Sequence, residues 1–324
     1  MKTAIILSLF LFILPAWVIN LGKDKLIMFA SLSYYGSDYD GDKRCDFSVW
    51  DSTTNTLYFQ LSSDGKFYQK KFFDNSVSFE PVFADYDGDS KTDFVFFHKD
   101  SGQWIFNLSS QPDYSQKMFL GSLGDLPIPT DINGVGSYSP TIWRPNSSSW
   151  VITDRDEDGQ KSNKTVLEGS FQDSAFAFDY DGDGKSDLAV WRPDDGFWHI
   201  VKSSTNFDFG QSEHIQHGQQ WDVIVPHDYD GDGRDDLVFW RPQNQTWYLL
   251  YAGNKAQNQI KFGQKDDIPL SGDVDGDGIP ELITWSQMKK SWNVLNFKKQ
   301  ESSSYKWDVP GSCVPAVSVL QKYD

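Results

Sequence analysis

Basic residues are scarce in this chain. Its 324 residues include 29 lysines and arginines against 46 aspartates and glutamates, which gives a formal net charge of −17. Nucleic-acid binding depends on clustered Lys and Arg that contact phosphates, so we expect no nucleic-acid partner. The acidic excess indicates a solvated surface, a cationic partner or bound metal ions instead.

Long apolar runs are also lacking beyond the N-terminus, and no segment after residue 20 shows a helical period. At the N-terminus, Met1-Lys2-Thr3 precedes an apolar run from Ala4 to Ile19, which is typical of a secretory signal peptide. We predict a signal peptide over residues 1–20 and a protein that is secreted, extracellular or held at the cell surface. No membrane span is expected after cleavage; an uncleaved anchor is the alternative.

Catalytic motifs are missing as well. The sequence contains neither the H-E-x-x-H zinc motif nor the G-x-S-x-G nucleophile turn. His214-x-x-His217 with His227 hints at zinc, but the spacing matches no strong motif. We therefore predict no enzyme activity and no catalytic residue. A secreted hydrolase on the same scaffold is one alternative, and a purely structural docking platform is another.

What the sequence does contain is a repeat. The pattern D-x-D-G-D returns every 45 to 49 residues, at Asp38, Asp85, Asp179, Asp228 and Asp273, with a worn copy at Asp131. Around each copy lie four short runs rich in β-branched and aromatic residues, with turn signals between them. Four-stranded units at this period are typical of propeller blades. We predict an all-β propeller of about six blades over residues 21–324; seven blades with one incomplete is the alternative.

The two ends of the chain are expected to close the ring. Pro315–Leu320 resembles the strand that precedes each loop, so it is expected to join the N-terminal blade and remove an exposed edge. In an exported protein, the two cysteines, Cys45 and Cys313, suggest a disulfide that clasps the ring. Such a bridge would contribute about 4–5 kcal/mol by chain entropy. Two unpaired buried thiols are the alternative.

The repeated loops have the composition of calcium sites. Calcium takes six to eight oxygen ligands, and alternating acids at positions 1, 3 and 5 of a loop can curl around one ion, with an acid at position 9. The predicted carboxylate ligands are Asp38, Asp40, Asp42, Asp46, Asp85, Asp87, Asp89, Asp93, Asp179, Asp181, Asp183, Asp187, Asp228, Asp230, Asp232, Asp236, Asp273, Asp275, Asp277 and Glu281. The predicted carbonyl ligands at position 7 belong to Arg44, Lys91, Lys185, Arg234 and Ile279.

These loops differ from EF-hands, which need a bidentate Glu at position 12 and flanking helices. Here position 12 lies inside a strand-like run, as at Val190. The worn copy has Asn133, Val135 and Ser139 in place of acids, so we expect about five calcium ions and none in the third repeat. A further acidic turn at 154–162 is either a weak calcium site or a plain turn.

At these residues the chain resembles the FG-GAP/VCBS-type repeat family, which includes the integrin α-subunit propeller. The likeness is strongest to bacterial repeats of the form DYDGDGKxDLAVWRPxxGxW, which Asp179–Trp198 and Asp228–Trp247 match closely. The resemblance covers roughly residues 30–320. It implies a propeller, calcium in the loops and a secreted or surface-exposed setting, with roles in adhesion, carbohydrate binding or protein recognition.

We therefore interpret the protein as a secreted monomeric binding module whose partner is a cell-surface glycan or protein. Aromatic rings can stack on sugar faces, and the candidate contacts are Trp143, Trp150, Trp191, Trp198, Trp240, Trp247, Trp285 and Trp292. A Trp at the same place in every repeat is, alternatively, core between blades.

Overall fold

The computed structural model describes residues 28–29, 37–74, 79–155, 161–167, 169–170, 172–311, 313–316 and 320–321. The predicted signal peptide lies outside these residues. None of the described residues belongs to a helix long and apolar enough to span a membrane.

The described strands form six four-stranded antiparallel sheets arranged as a β-propeller, which confirms the predicted fold. Within each blade the strands are numbered one to four in sheet order. Blades 1 to 3 consist of Val314–Pro315, Phe47–Asp51, Thr56–Gln60 and Phe67–Lys71; Glu80–Pro81, Phe94–His98, Gln103–Asn107 and Ser115–Phe119; and Leu126–Pro127, Thr141–Arg144, Ser149–Arg155 and Lys161–Leu167.

Blades 4 to 6 repeat the arrangement. They consist of Ser174–Phe178, Asp187–Arg192, Phe197–Val201 and Glu213–Gln216; Val223–Ile224, Leu237–Arg241, Thr246–Leu250 and Gln257–Lys261; and Ile268–Gly272, Glu281–Ser286, Ser291–Asn296 and Glu301–Lys306. Met28–Phe29 and Leu320–Gln321 form a separate two-stranded pair, and short 3₁₀ turns occupy Pro145–Ser147, Ser203–Thr205 and Phe209–Gln211.

Burial follows strand position, and the sequence shows why. The second strands are almost continuously apolar, as in Leu237–Arg241, because neighbouring blades cover both of their faces. The fourth strands are exposed and polar: every residue of Phe67–Lys71 and of Glu301–Lys306 is exposed. The solvent-facing edge of each blade is therefore its fourth strand.

The repeated tryptophans form the core. Second- and third-strand residues lie directly opposite one another as Trp143–Trp150, Trp191–Trp198, Trp240–Trp247 and Trp285–Trp292. All eight are at most 3% exposed. The interpretation of these residues as ligand contacts is wrong, since a ring without exposed surface cannot stack on a sugar. The alternative, core packing, is the one the structure shows.

The C-terminal segment closes the ring as expected. Val314–Pro315 is the first strand of blade 1, where it pairs with Trp50 and Val49, and the backbone N–H of Ala316 donates to Ser48. The first blade thus combines strands from both ends of the chain.

The predicted disulfide is wrong. Cys45 and Cys313 are unpaired and buried. Because Val314 pairs with Trp50, Cys313 lies level with Asp51, six positions after Cys45. Six residues of extended strand span about 20 Å, whereas a disulfide needs Cα atoms within about 7 Å of each other.

Candidate metal centres on a ring of loops

Each loop between first and second strands is shaped by the Asp at its first position. In blade 4, Asp179 Oδ1 accepts from the N–H of Gly182 at 2.7 Å and Oδ2 from the N–H of Gly184 at 2.7 Å. Both glycines have positive φ, 79° and 82°, a region that residues with a Cβ seldom adopt. The Asp and the two glycines together turn the loop around its own first carboxylate.

The acid at position 9 lies where the loop enters the second strand. Asp187 has no exposed surface. Its Oδ2 accepts from the N–H of Tyr180 at 3.1 Å and its Oδ1 from the N–H of Ser203 at 2.8 Å. The same two kinds of bond hold Asp46, Asp93 and Asp236. The second strand thus fixes one carboxylate beneath the loop.

Five loops bring three carboxylates together, with one oxygen from each within 4.8 Å of the others. Four of these triads use positions 1, 3 and 9, and the first loop uses positions 1, 3 and 5. The triads are Asp38, Asp40 and Asp42; Asp85, Asp87 and Asp93; Asp179, Asp181 and Asp187; Asp228, Asp230 and Asp236; and Asp273, Asp275 and Glu281. These clusters are suited to metal binding.

The remaining acids take other partners. The position-5 carboxylate accepts from the backbone N–H of position 7, at 2.9 Å for Asp183 and Lys185 and at 3.0 Å for Asp232 and Arg234. The same bond joins position 7 to position 5 in the other loops, at Arg44, Lys91 and Ile279. Position 5 therefore buttresses the loop in addition to its predicted role as a ligand.

Burial makes the position-9 acids hard to ionise. Removal from water, the largest cause, raises the pKa to about 6 for Asp46 and Asp93, about 7 for Asp187 and Glu281, and about 8 for Asp236. Backbone N–H donors lower the pKa values of these carboxyls, and the neighbouring acids of the triad raise them further. A cation inside the triad would offset both the burial and the repulsion.

Two carboxylate oxygens show where a cation fits. Asp181 Oδ1 and Asp230 Oδ1, both at position 3, are buried and have no hydrogen-bond partner among the described residues. A buried charged oxygen without a partner is strongly unfavourable. Both atoms belong to residues of a triad, so a cation held there would supply the partner they lack.

Pairs of serines at the end of the third strand also contact the acids, and sequence reasoning missed them. Ser203 Oγ donates to Asp183 at 2.9 Å and Ser204 Oγ to Asp181 at 2.5 Å. Ser62–Ser63 and Ser109–Ser110 repeat the arrangement in blades 1 and 2. The sequence signal for these serines is their fixed spacing: the first serine follows the position-5 acid by 20 residues, and the second follows the position-3 acid by 23 residues.

In blade 6 the positions of the serine pair hold Phe297 and Lys298, and the next residue, Lys299, contacts the acids instead. Lys299 Nζ lies 2.5 Å from Asp275 Oδ2 and 3.0 Å from Asp277 Oδ2. Asn296 donates to Asp275 at 2.9 Å and to Glu281 at 2.8 Å. The sixth loop therefore already has an ammonium group against two of its acids.

Backbone hydrogen bonds link the loops around the propeller. The N–H at position 8 donates to the carbonyl of position 1 in the preceding loop, in the pairs Cys45 to Asp273, Thr92 to Asp38, Tyr138 to Asp85, Ser186 to Asp131 and Asp235 to Asp179. The distances are 2.6 to 2.8 Å. The sixth such bond is missing because position 8 of the last loop is Pro280, which has no N–H.

Side chains at position 7 add a second link. A Cβ placed on Gly182 would lie 3.0 Å from Arg234 Cγ, and one on Gly41 would lie 3.1 Å from Lys91 Cε. The position-4 glycine thus leaves room for the next loop to lie across it. The residues predicted only as carbonyl ligands also connect neighbouring loops.

The third loop keeps this shape with only its first acid, Asp131. Asp131 accepts from Gly134, Val135 and Gly136, and its carbonyl accepts from Ser186. Among the described residues no acidic triad includes Asp131. The acidic turn at 154–162 lies largely outside the described residues, and its role stays a prediction.

Comparison with known proteins identifies the repeat. A family model described as FG-GAP-like repeat matches residues 38–96, 179–239 and 228–284, just over half of the chain. A search of curated protein sequences found no match.

Solved structures also resemble this chain. A virginiamycin B lyase from Staphylococcus aureus is 9% identical over 87% of each chain, with a TM-score of 0.53. AztD from Citrobacter koseri is 10% identical over 82% of this chain and 83% of its own, with a TM-score of 0.48. Regucalcin from Agrobacterium tumefaciens, described as a calcium-binding protein, is 11% identical over 83% and 84%, with a TM-score of 0.48. The likeness to the lyase supports the propeller fold and nothing about activity.

Proposed function

The chain belongs to the FG-GAP-like repeat family, and from this premise we propose that it is a secreted, calcium-stabilised propeller that binds a cell-surface glycan. It acts as a monomeric binding module and not as an enzyme. The calcium loops stabilise the fold, and the ligand binds elsewhere, where the blades differ.

The buried, unpartnered oxygens of Asp181 and Asp230 carry the calcium part of this proposal. Every side-chain donor in the triads is a carboxylate, the ligand type that hard cations prefer. Two oxygens on opposite sides of a calcium ion lie about 4.6–5.2 Å apart, since each bond measures about 2.3–2.6 Å. The triad oxygens all lie within 4.8 Å of one another, close enough for one calcium ion to contact all three.

An exposed aromatic cleft between blades 1 and 6 supports the glycan part. With the tryptophan pairs buried, the rings that a sugar could reach are few. Phe67 is 46% exposed and Tyr305 40% exposed, and each lies on the fourth strand of its blade. They line a cleft of about 400 Å³ together with Gln60, Lys306, Trp307 and Asp308.

The cleft combines the chemistry that a sugar needs. Phe67 meets Trp307 edge to face at 5.0 Å, and Tyr305 lies 5.5 Å from Phe47, so neighbouring rings hold both aromatics in place. An amide, an ammonium and a carboxylate from Gln60, Lys306 and Asp308 surround the rings. Apolar ring faces beside fixed polar groups match the two kinds of surface on a pyranose.

Glycan-array binding of the calcium-loaded protein tests this function. We expect a defined set of glycans to bind, and Phe67→Ala and Tyr305→Ala each to weaken binding at least tenfold. Phe119→Ala is the matched control, because Phe119 is a 69% exposed phenylalanine on the fourth strand of blade 2, outside the cleft. No glycan binding in calcium, or equal losses in all three variants, would contradict the proposal.

A further inference from the structure

Two histidines of blade 4 face each other across its outer strands. His199 on the third strand lies directly opposite His214 on the fourth strand. Their Nδ1 atoms are 2.8 Å apart, and the ring centroids are separated by 4.8 Å. His214 is exposed and His199 is half-buried, so solvent reaches the pair.

No other blade has such a pair. The residues at the same register are Tyr58 and Gln69, Ile105 and Lys117, Val151 and Thr165, Tyr248 and Gln259, and Asn293 and Ser304. The propeller therefore forms five blades without imidazoles at this place. Because the fold does not require the histidine pair, we expect the pair to have a specific chemical role in blade 4.

The neighbours of the pair favour two neutral rings with converging Nδ1 atoms. Ser212 Oγ lies 3.2 Å from His214 Nε2 and can accept a hydrogen bond when that nitrogen carries the proton. His214 Nδ1 then carries a lone pair and accepts a hydrogen bond from His199 Nδ1–H, and a metal ion bound between the rings would replace that proton. Burial, followed by the nearby charge of Arg192, lowers the pKa of His199 and keeps its ring neutral near pH 7. Hydrogen bonds to the distal nitrogen of this kind orient imidazole ligands in metal sites.

The separation of the two nitrogens is compatible with a right-angle coordination geometry. With metal–nitrogen bonds of about 2.0–2.1 Å, two ligands at a right angle lie about 2.9 Å apart, whereas tetrahedral ligands lie about 3.3–3.4 Å apart. The observed 2.8 Å is a hydrogen-bond distance, and it is also close to the right-angle value, so an ion can replace the proton with little movement of either ring. Right-angle nitrogen ligands are typical of tetragonal Cu(II) and Ni(II), and Cu(II) binds nitrogen sites more tightly than the other divalent ions of its row.

We propose that His199 and His214 form a bidentate site for Cu(II), separate from the acidic loops. Both Nδ1 atoms coordinate the ion, the Nε2–H of His214 donates to Ser212, and water completes the coordination on the exposed side. His199 lies four residues before Ser203, which contacts the fourth loop. Calcium and copper therefore bind independently, one at oxygen ligands and one at nitrogen ligands.

Copper titration of the full, calcium-saturated protein tests the site. We expect one equivalent of Cu(II) to bind in isothermal titration calorimetry, and His199→Gln and His214→Gln each to weaken that binding at least tenfold. His98→Gln is the matched control: His98 ends the second strand of blade 2, and its Nδ1 lies 2.7 Å from Ser101 with no second imidazole. Unchanged affinity in both test variants, or an equal loss in the control, would overturn the proposal.

Electron paramagnetic resonance of the wild-type protein gives a second readout that does not depend on how the variants fold. Two equivalent nitrogen couplings in an axial Cu(II) spectrum support the paired site. A spectrum with oxygen ligands only, or with a single nitrogen, would overturn it. Melting curves without copper show whether each variant is folded before its affinity is compared.

Discussion

The backbone N–H of Asp235 donates to the carbonyl of Asp179 at 2.7 Å, and the N–H of Asp179 donates back to the Asp235 carboxylate at 3.0 Å. This reciprocal pair joins the fifth loop to the fourth. Equivalent backbone bonds join five neighbouring pairs of loops, so an ion that orders one loop also orders the carbonyl to which the next loop is bonded. The six loops therefore form a linked series around the propeller and not a set of isolated turns.

Replacing a position-8 residue by proline tests the ring. Ser186→Pro removes the N–H that donates to Asp131 at 2.8 Å and also the hydroxyl that accepts from the Asp131 N–H at 2.9 Å. Pro280 shows that a proline fits this loop position. We expect a loss of about 1–2 kcal/mol in the free energy of unfolding. Ser186→Ala keeps the N–H and should cost less; equal losses in the two variants, measured by calorimetry, would argue against the backbone link.

The sixth loop should bind calcium more weakly than the fourth. Lys299 places an ammonium within 3.0 Å of Asp275 and Asp277, and an ion must displace it. We expect Lys299→Ser to raise the calcium affinity of one site in a calorimetric titration. Lys298→Ser is the control, because Lys298 Nζ contacts the carbonyl of Asp230 instead, at 3.3 Å. An unchanged or reduced affinity after Lys299→Ser would show that the ammonium does not compete.

Substituting the buried acid of the fourth loop should have opposite effects with and without calcium. Asp187→Asn removes a charge that burial and neighbouring acids make unfavourable, so in chelator the variant should be as stable as the wild type or more stable. In calcium it should be less stable, since the triad has lost a ligand.

Asp131→Asn in the third loop is the matched control for this prediction. It changes the same chemical group in a loop of the same shape that has no triad among the described residues. Its effect on the melting temperature should be the same in calcium and in chelator. Identical calcium dependence of the melting temperature in both variants would show that Asp187 does not bind the ion.

The two cysteines should behave as buried thiols. We expect two free thiols on titration of the unfolded protein, little reaction of the folded protein with a thiol reagent, and the same melting temperature with and without reductant. Burial raises the pKa of Cys313 to about 12, which suppresses the reactive thiolate. A Cys45–Cys313 linked peptide in a non-reducing digest would contradict the strand register described above.

Much of this architecture was predictable from the sequence because the repeat is regular. The spacing of the loops determined the number of blades, and the likeness of Pro315–Leu320 to a pre-loop strand predicted how the ring closes. Strand register was not predictable. It separates Cys45 from Cys313, and it brings His199 to His214 across 15 residues.

Side-chain burial was the other property that could not be predicted from the sequence. The tryptophans recur at one place in each repeat, a pattern compatible with core or with ligand contact, and only the packing of neighbouring blades decides between them. The serines that contact the acids also recur at fixed offsets. Their role was hidden because the acids they serve lie 20 or more residues earlier.

The most direct test of the account is the melting of the full protein in calcium and in EDTA. At a calcium concentration of 100 times the dissociation constant, each occupied site would add about 2.7 kcal/mol of stability. We predict a large fall in melting temperature in EDTA, full recovery when calcium is added in excess, and no change with EDTA already saturated with calcium. The same melting temperature in calcium and in EDTA would contradict the central claim that the ring of acidic loops is a set of calcium sites.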